Sequence, residues 1–263
     1  MLSYPTLALP MAKFSYLSAT RAQLAQVPPV LEADLSGKTV VVTGANVGLG
    51  FETAAYFARM RPGKLVIACR NKDKGQAAVL RAYAYRNGHT TNFTLTLHYA
   101  SELKAQTGCK DSELRLVDLS KFESVLQFID TFEAENSRLD ILVCNAAIET
   151  TIYEAAPSGW ESTYVLIPLR RSQRIFKLDI CDSLQVSHLS TSLLALLLVP
   201  RLDKTAHQFG FHPRLVIVSS GVHFFASISH DVIACTNILD RLSNPNYCTP
   251  QYVVWLCAQV RGS

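Results

Sequence analysis

Short apolar runs alternate along the chain with stretches of helical period. Thr39–Val42 is the first run and Lys64–Cys69 the second, and Glu113–Leu119, Arg138–Cys144 and Arg214–Ser219 follow. Each is short, largely apolar and bounded by glycine, amide or charged residues, as expected of strands in a buried sheet. Between them, Phe51–Met60, Phe122–Phe132 and Leu184–Leu198 are expected as helices, and the second carries apolar side chains at positions 122, 125, 126, 129 and 132. Strand followed by helix, repeated, predicts an α/β fold: a parallel, doubly wound sheet with right-handed crossovers.

The first strand runs into Thr43-Gly44-Ala45-Asn46-Val47-Gly48-Leu49-Gly50, and a helix is expected directly after it. A strand, a glycine-rich turn and a helix in that order build a phosphate cradle. Gly44 lets the backbone leave the strand in a conformation that a β-carbon obstructs. Gly48 lets a pyrophosphate approach the backbone, and Gly50 lets helix and strand pack closely. The free amides at the helix N-terminus then face the negative charge. Gly44, Asn46, Gly48, Leu49 and Gly50 are therefore the first candidates for binding a cofactor.

Just past the second strand stands Arg70, where the adenosine ribose of a dinucleotide would lie. NAD sites place an acidic residue there to bond both ribose hydroxyls, whereas a guanidinium suits a 2′-phosphate, so NADP is the expected cofactor. Lys74, four residues on, is a second candidate for that charge. Ligands of such sheets bind beyond the carboxyl ends of the strands, which makes Ser219-Ser220, at the end of the fifth run, a site candidate as well.

Composition narrows the classes. The chain has 263 residues, 49% of them hydrophobic and 17% charged, enough for one large core. A net charge of +4 is mild and dispersed and points to no nucleic-acid partner. Seven cysteines, an odd number with no Cys-x2-Cys pair, suggest a reducing compartment and no metal site, so a cytoplasmic location is expected. The longest apolar stretch, Leu193–Pro200, falls far short of the roughly 20 residues that a membrane span needs. Residues 1–36, with Pro28-Pro29, are expected to form an irregular arm ahead of a single nucleotide-binding domain over 37–263.

Six motifs in order, TGANVGLG, ACRNKDKG, LVDLS, CNAA, HLSTSLLALLLVP and RLVIVSSGVH, cover about residues 36 to 225. They resemble the retinol-dehydrogenase and WW-domain-oxidoreductase branch of the short-chain dehydrogenase/reductase family, whose fingerprint is TGxxxGxG. The resemblance implies a Rossmann-type, three-layer α/β/α fold that here lacks its last strands. It implies hydride transfer between NADP(H) and a small hydrophobic alcohol or carbonyl compound, with a place in fungal secondary metabolism. Asp118 would meet the adenine amino group. Asn145 would support the central strand and line the cofactor cleft. Ser220 would be the catalytic serine that hydrogen-bonds the substrate oxygen. Family members often form homo-oligomers through two helices, of which 184–198 would be one.

The chain also departs from the family pattern. The asparagine of the family's VNHL helix is replaced by Ser187. The Tyr-x3-Lys pair is not found: Tyr247 and Tyr252 are followed at the fourth position by Gln251 and Leu256, and no lysine follows Lys204. Without the lysine a phenol keeps a pKa near 10, so no catalytic role is carried onto Tyr252. An inactive NADP-binding remnant or regulatory protein is the alternative this raises. Segments near 80–100 and 164–183 interrupt the family spacing and are apolar, without the Gly, Ser, Pro and Asn character of long loops. We expect these, and the final residues, to be short introns read in frame; sequencing the mature transcript tests this, and a message that keeps all three segments would overturn it.

Overall fold

The computed structural model describes residues 24, 29–30, 32–86, 112–147, 184–219 and 234–237. Two compact units divide after Glu32, and the second, from Ala33, contains all the strands. Leu35, assigned to the arm by sequence, is buried in that second unit, and its N–H donates to Met60 O at 3.0 Å.

Five parallel strands lie in the order β3-β2-β1-β4-β5. They are β1 (Thr39–Thr43), β2 (Lys64–Cys69), β3 (Ser112–Leu116), β4 (Ile141–Cys144) and β5 (Arg214–Ile217). Helices α1 (Gly48–Arg59), α2 (Lys72–Arg86) and α3 (Phe122–Glu135) connect the first four. A π-helical segment, Leu184–Ser190, leads into α4 (Thr191–Phe209), which precedes β5. The expected α/β, doubly wound parallel sheet is thus present. Its winding reverses between β1 and β4, which are neighbours paired Val40 to Ile141 through Val42 to Val143.

Alternation along the strands sends side chains to two cores. Val41, Val66, Ala68 and Leu142 face Phe128, Phe132, Leu194 and Leu198 of α3 and α4. Val40, Val42, Leu65, Ile67 and Val143 face Phe51, Ala54, Ala58, Ala78 and Ala82 of α1 and α2. The central strands are covered on both faces, which is why they read as continuous apolar runs. β3 and β5 are the two edge strands among the described residues, and Val216 of β5 remains 45% exposed.

Several element bounds differ from the sequence expectation for visible reasons. β3 ends at Leu116, because Asp118 turns the chain by hydrogen bonding to Ser120. Helix α2 was not expected as a helix: its buried face is built largely from small residues, Ala78, Val79 and Ala82, that carry little periodic signal. It runs through Arg86, into the segment expected as an insertion near 80–100. Gly75 lets it sit close to the sheet, since a β-carbon there would stand 2.7 Å from Cys69 Sγ. The helix expected over 184–198 begins in π form and continues past Pro200 to a left-handed Gly210 cap, φ 60°. The expected segment at 164–183, together with Tyr247 and Tyr252, lies outside the described residues.

At the end of the sheet away from the glycine turn, Asp140 is fully buried. Its carboxylate accepts the Thr39 N–H at 2.8 Å and both forks of Arg138, Nε at 2.7 Å and Nη2 at 2.8 Å. Arg138 in turn lies over the Phe209 ring of α4, 4.1 Å from its centroid. Cys69 and Cys144 are buried free thiols. Burial pushes the Cys144 thiol up to about 12, so it behaves as a small hydrophobe. Among the described residues, no helix is long and apolar enough to cross a membrane.

Candidate functional site

A cleft of roughly 400 Å³ opens at the carboxyl ends of the strands, at the point where the sheet reverses its winding. Its floor is the turn from β1 into α1. Gly44 and Gly48 both hold positive φ, 67° and 57°. Gly44 also faces Ala146, whose Cα would stand 2.7 Å from a β-carbon placed there. A β-carbon on Gly50 would run into Asn145 Nδ2 and the Gly44 carbonyl. Two glycines are therefore required by close approach and one by backbone conformation alone. Helix α1 starts with no side-chain cap and no acidic residue in its first turn, so its leading amides stay available to an anion.

Asn145 and Thr43 join the turn to β4. The Thr43 hydroxyl accepts the N–H of Asn145 at 3.0 Å and that of Ala146 at 3.2 Å, while Asn145 Nδ2 donates to Thr43 O at 3.3 Å. This clasp keeps the β4 turn against the glycine turn and leaves Asn145, Ala146 and Ala147 lining the cleft.

The far wall is basic. Arg70 and Lys74 both line the cleft, are exposed, and have no ion-pair partner among the described residues. Asn71 stands between them and caps α2: its Oδ1 accepts the Lys74 N–H at 2.9 Å. Asp118 is the one carboxylate among the lining residues, flanked by Val117 and Leu119. Two cations against one anion favour a ligand carrying negative charge at that wall.

Eight of the nine cofactor-binding candidates named from sequence, Gly44, Asn46, Leu49, Gly50, Arg70, Lys74, Asp118 and Asn145, line this one cleft. Gly48 shapes the turn but does not line it. Ser220 lies outside the described residues. Asn71 and Val186 were missed. An asparagine at the junction of a strand and a helix is an N-cap signal that marks the first. Val186 reaches the cleft from the π-helical segment, where Thr191 Oγ1 donates to Val186 O at 2.9 Å, five residues back. Such π turns occur often at functional sites. Next to it, Ser187 Oγ is buried with no hydrogen-bond partner among the described residues. The adjacent His188 imidazole is pushed below its ordinary value by burial.

No protein-family model matches the chain. It is 31% identical over 208 residues to a short-chain dehydrogenase of Alternaria solani, covering 79% of this chain and 58% of that protein. It is 32% identical over 196 residues to the human WW domain-containing oxidoreductase, covering 74% of this chain and 36% of that protein. The chain spans about half the length of the curated relatives it matches. Among solved structures, a protein of Mycobacterium paratuberculosis superposes with a TM-score of 0.50 at 26% identity, over 84% of this chain and 58% of that one. A metagenomic short-chain oxidoreductase solved with NADP gives a TM-score of 0.50 at 16% identity, covering 84% of this chain and 73% of that one, a likeness of fold.

Proposed function

Because the chain belongs to the short-chain dehydrogenase/reductase family, a lineage of oxidoreductases, we propose that its cleft binds NADP(H) and serves hydride transfer with a hydrophobic alcohol or ketone. The observation that carries this reading is the convergence of the glycine turn and the Arg70–Lys74 pair on one cleft at the sheet's reversal point. The residues fit the group. Gly50 and Gly44 occupy places that a β-carbon would fill, the first-turn amides of α1 suit a pyrophosphate, and Arg70 with Lys74 suits a 2′-phosphate. Asp118 offers an acceptor to the adenine amino group, and Asn145 holds the β4 turn that backs the cleft. When bound, the nicotinamide supplies or accepts the hydride. Ser220 would hydrogen-bond the substrate oxygen, and a tailoring step in secondary metabolism is the setting we propose; both rest on the family resemblance.

Calorimetric titration tests the proposal. NADPH should bind at least about tenfold more tightly than NADH. Arg70→Ala should weaken NADPH by about 10- to 100-fold, the worth of one charge-assisted hydrogen bond, and leave NADH unchanged. Equal affinity for the two cofactors in the wild-type protein would overturn the 2′-phosphate assignment. Binding without turnover over a panel of ketones and alcohols would favour a cofactor-binding protein that does no chemistry, consistent with the lack of a Tyr-x3-Lys pair in the sequence.

A further inference from the structure

The Asp118 carboxylate is held in place by its own loop. Its Oδ1 accepts two hydrogen bonds from Ser120, from the backbone N–H at 3.1 Å and from the hydroxyl at 2.7 Å. The Asp118 N–H donates to Ser124 Oγ at 3.0 Å, in the first turn of α3. Both of Ser120's donors are spent on one oxygen. Oδ2 accepts no hydrogen bond among the described residues, and Asp118 lines the cleft between two apolar neighbours, Val117 and Leu119. A fixed acceptor lining a cleft matches a flat heterocycle that carries an exocyclic amino donor.

We propose that Ser120 is a positioning residue for nucleobase selectivity: by holding Asp118 through Oδ1, it presents Oδ2 to a 6-amino purine and makes the site reject a 6-oxo purine. The inference rests on the dinucleotide reading above and goes beyond it, because it assigns selectivity to a residue that does not itself face the base. A loose carboxylate loses rotamer freedom when it binds, whereas one already fixed does not. A 6-oxo purine would set a carbonyl against the carboxylate, acceptor to acceptor, and such unpaired contacts discriminate strongly.

The test titrates the full chain with adenosine 2′,5′-bisphosphate and with its inosine counterpart. The wild-type protein should prefer the adenosine ligand by about tenfold or more. Ser120→Ala should weaken the adenosine ligand about three- to tenfold and leave the inosine ligand unchanged, while Ser120→Thr, which keeps the hydroxyl, should retain the discrimination. Asp118→Asn supplies a second reading: its Oδ1 can still accept from Ser120, its amide then faces the base as a donor, and the preference should move toward the inosine ligand. Equal weakening of both ligands in Ser120→Ala would mean that Ser120 only shapes the loop, and would overturn the inference alone. So would equal binding of the two ligands by the wild-type protein. A wild-type protein that binds neither ligand would overturn the dinucleotide reading and this inference with it.

Discussion

Gly50→Ala is expected to remove most of the dinucleotide affinity, by about a hundredfold or more, and to lower stability by about 1–3 kcal/mol. The added methyl group would meet the Gly44 carbonyl and the Asn145 side-chain amide. The carbonyl cannot yield cheaply, because Gly44 is held at φ 67° and its N–H donates to Ala68 O at 2.8 Å. Nor is the amide free to swing away, since it also donates to Thr43 O at 3.3 Å. Helix α1 must then withdraw from the strand, carrying its leading amides out of register with a pyrophosphate. Gly48→Ala is the control. It too has a positive φ, 57°, but nothing lies within 4 Å of the new β-carbon. Its cost should be the conformational penalty of about 1 kcal/mol alone. NADPH titration together with thermal unfolding of the two variants checks this; Gly50→Ala binding as tightly as the wild type would refute the close-packing argument.

The largest loss of stability should come at the other end of the sheet. Arg138→Ala leaves the fully buried Asp140 carboxylate with the Thr39 N–H as its remaining hydrogen-bond donor. Stranding a buried charge costs about 3–5 kcal/mol, and here the stacking of Arg138 on Phe209 goes with it. Asp140→Asn removes the charge while keeping an acceptor for Thr39, and should cost less, about 1–3 kcal/mol. Urea unfolding measures both. NADPH affinity of the folded protein should be unchanged in either variant, because Asp140 precedes β4 while the cleft lies beyond its carboxyl end at Asn145. A wild-type urea midpoint for Arg138→Ala would show that water or another group takes over the carboxylate.

The strands were legible because covering the sheet on both faces demands unbroken apolar runs, and Val40, Val41 and Val42 go to opposite cores while reading as one run. Helix α3 was legible too, since its large buried side chains recur at helical spacing. Helix α2 was not, because alanines that let it lie close to β2 carry little hydrophobic signal. The π-helical start before α4 was invisible for a different reason. Side chains span the turn, Thr191 Oγ1 donating to the Val186 carbonyl and Gln185 Nε2 to Ser190 Oγ at 2.7 Å, and neither pairing follows from residue type.

For the site, local sequence determined the parts whose chemistry is a matter of backbone freedom or charge: the glycines of the turn, and Arg70 and Lys74 past the second strand. A positive φ or a 2′-phosphate partner is a property of a few neighbouring residues. What the tertiary structure decided was convergence. Asn145 lies 102 positions from Thr43 in the chain, yet its N–H is held 3.0 Å from the Thr43 hydroxyl. The arrival of Val186 at the cleft likewise depends on how the layers pack, whereas the hold that Ser120 has on Asp118 and the cap that Asn71 makes for α2 are local contacts, two and three residues apart. The physical reason is that β1 and β4 become neighbours only when the sheet closes around its reversal point, and no local pattern records that distance.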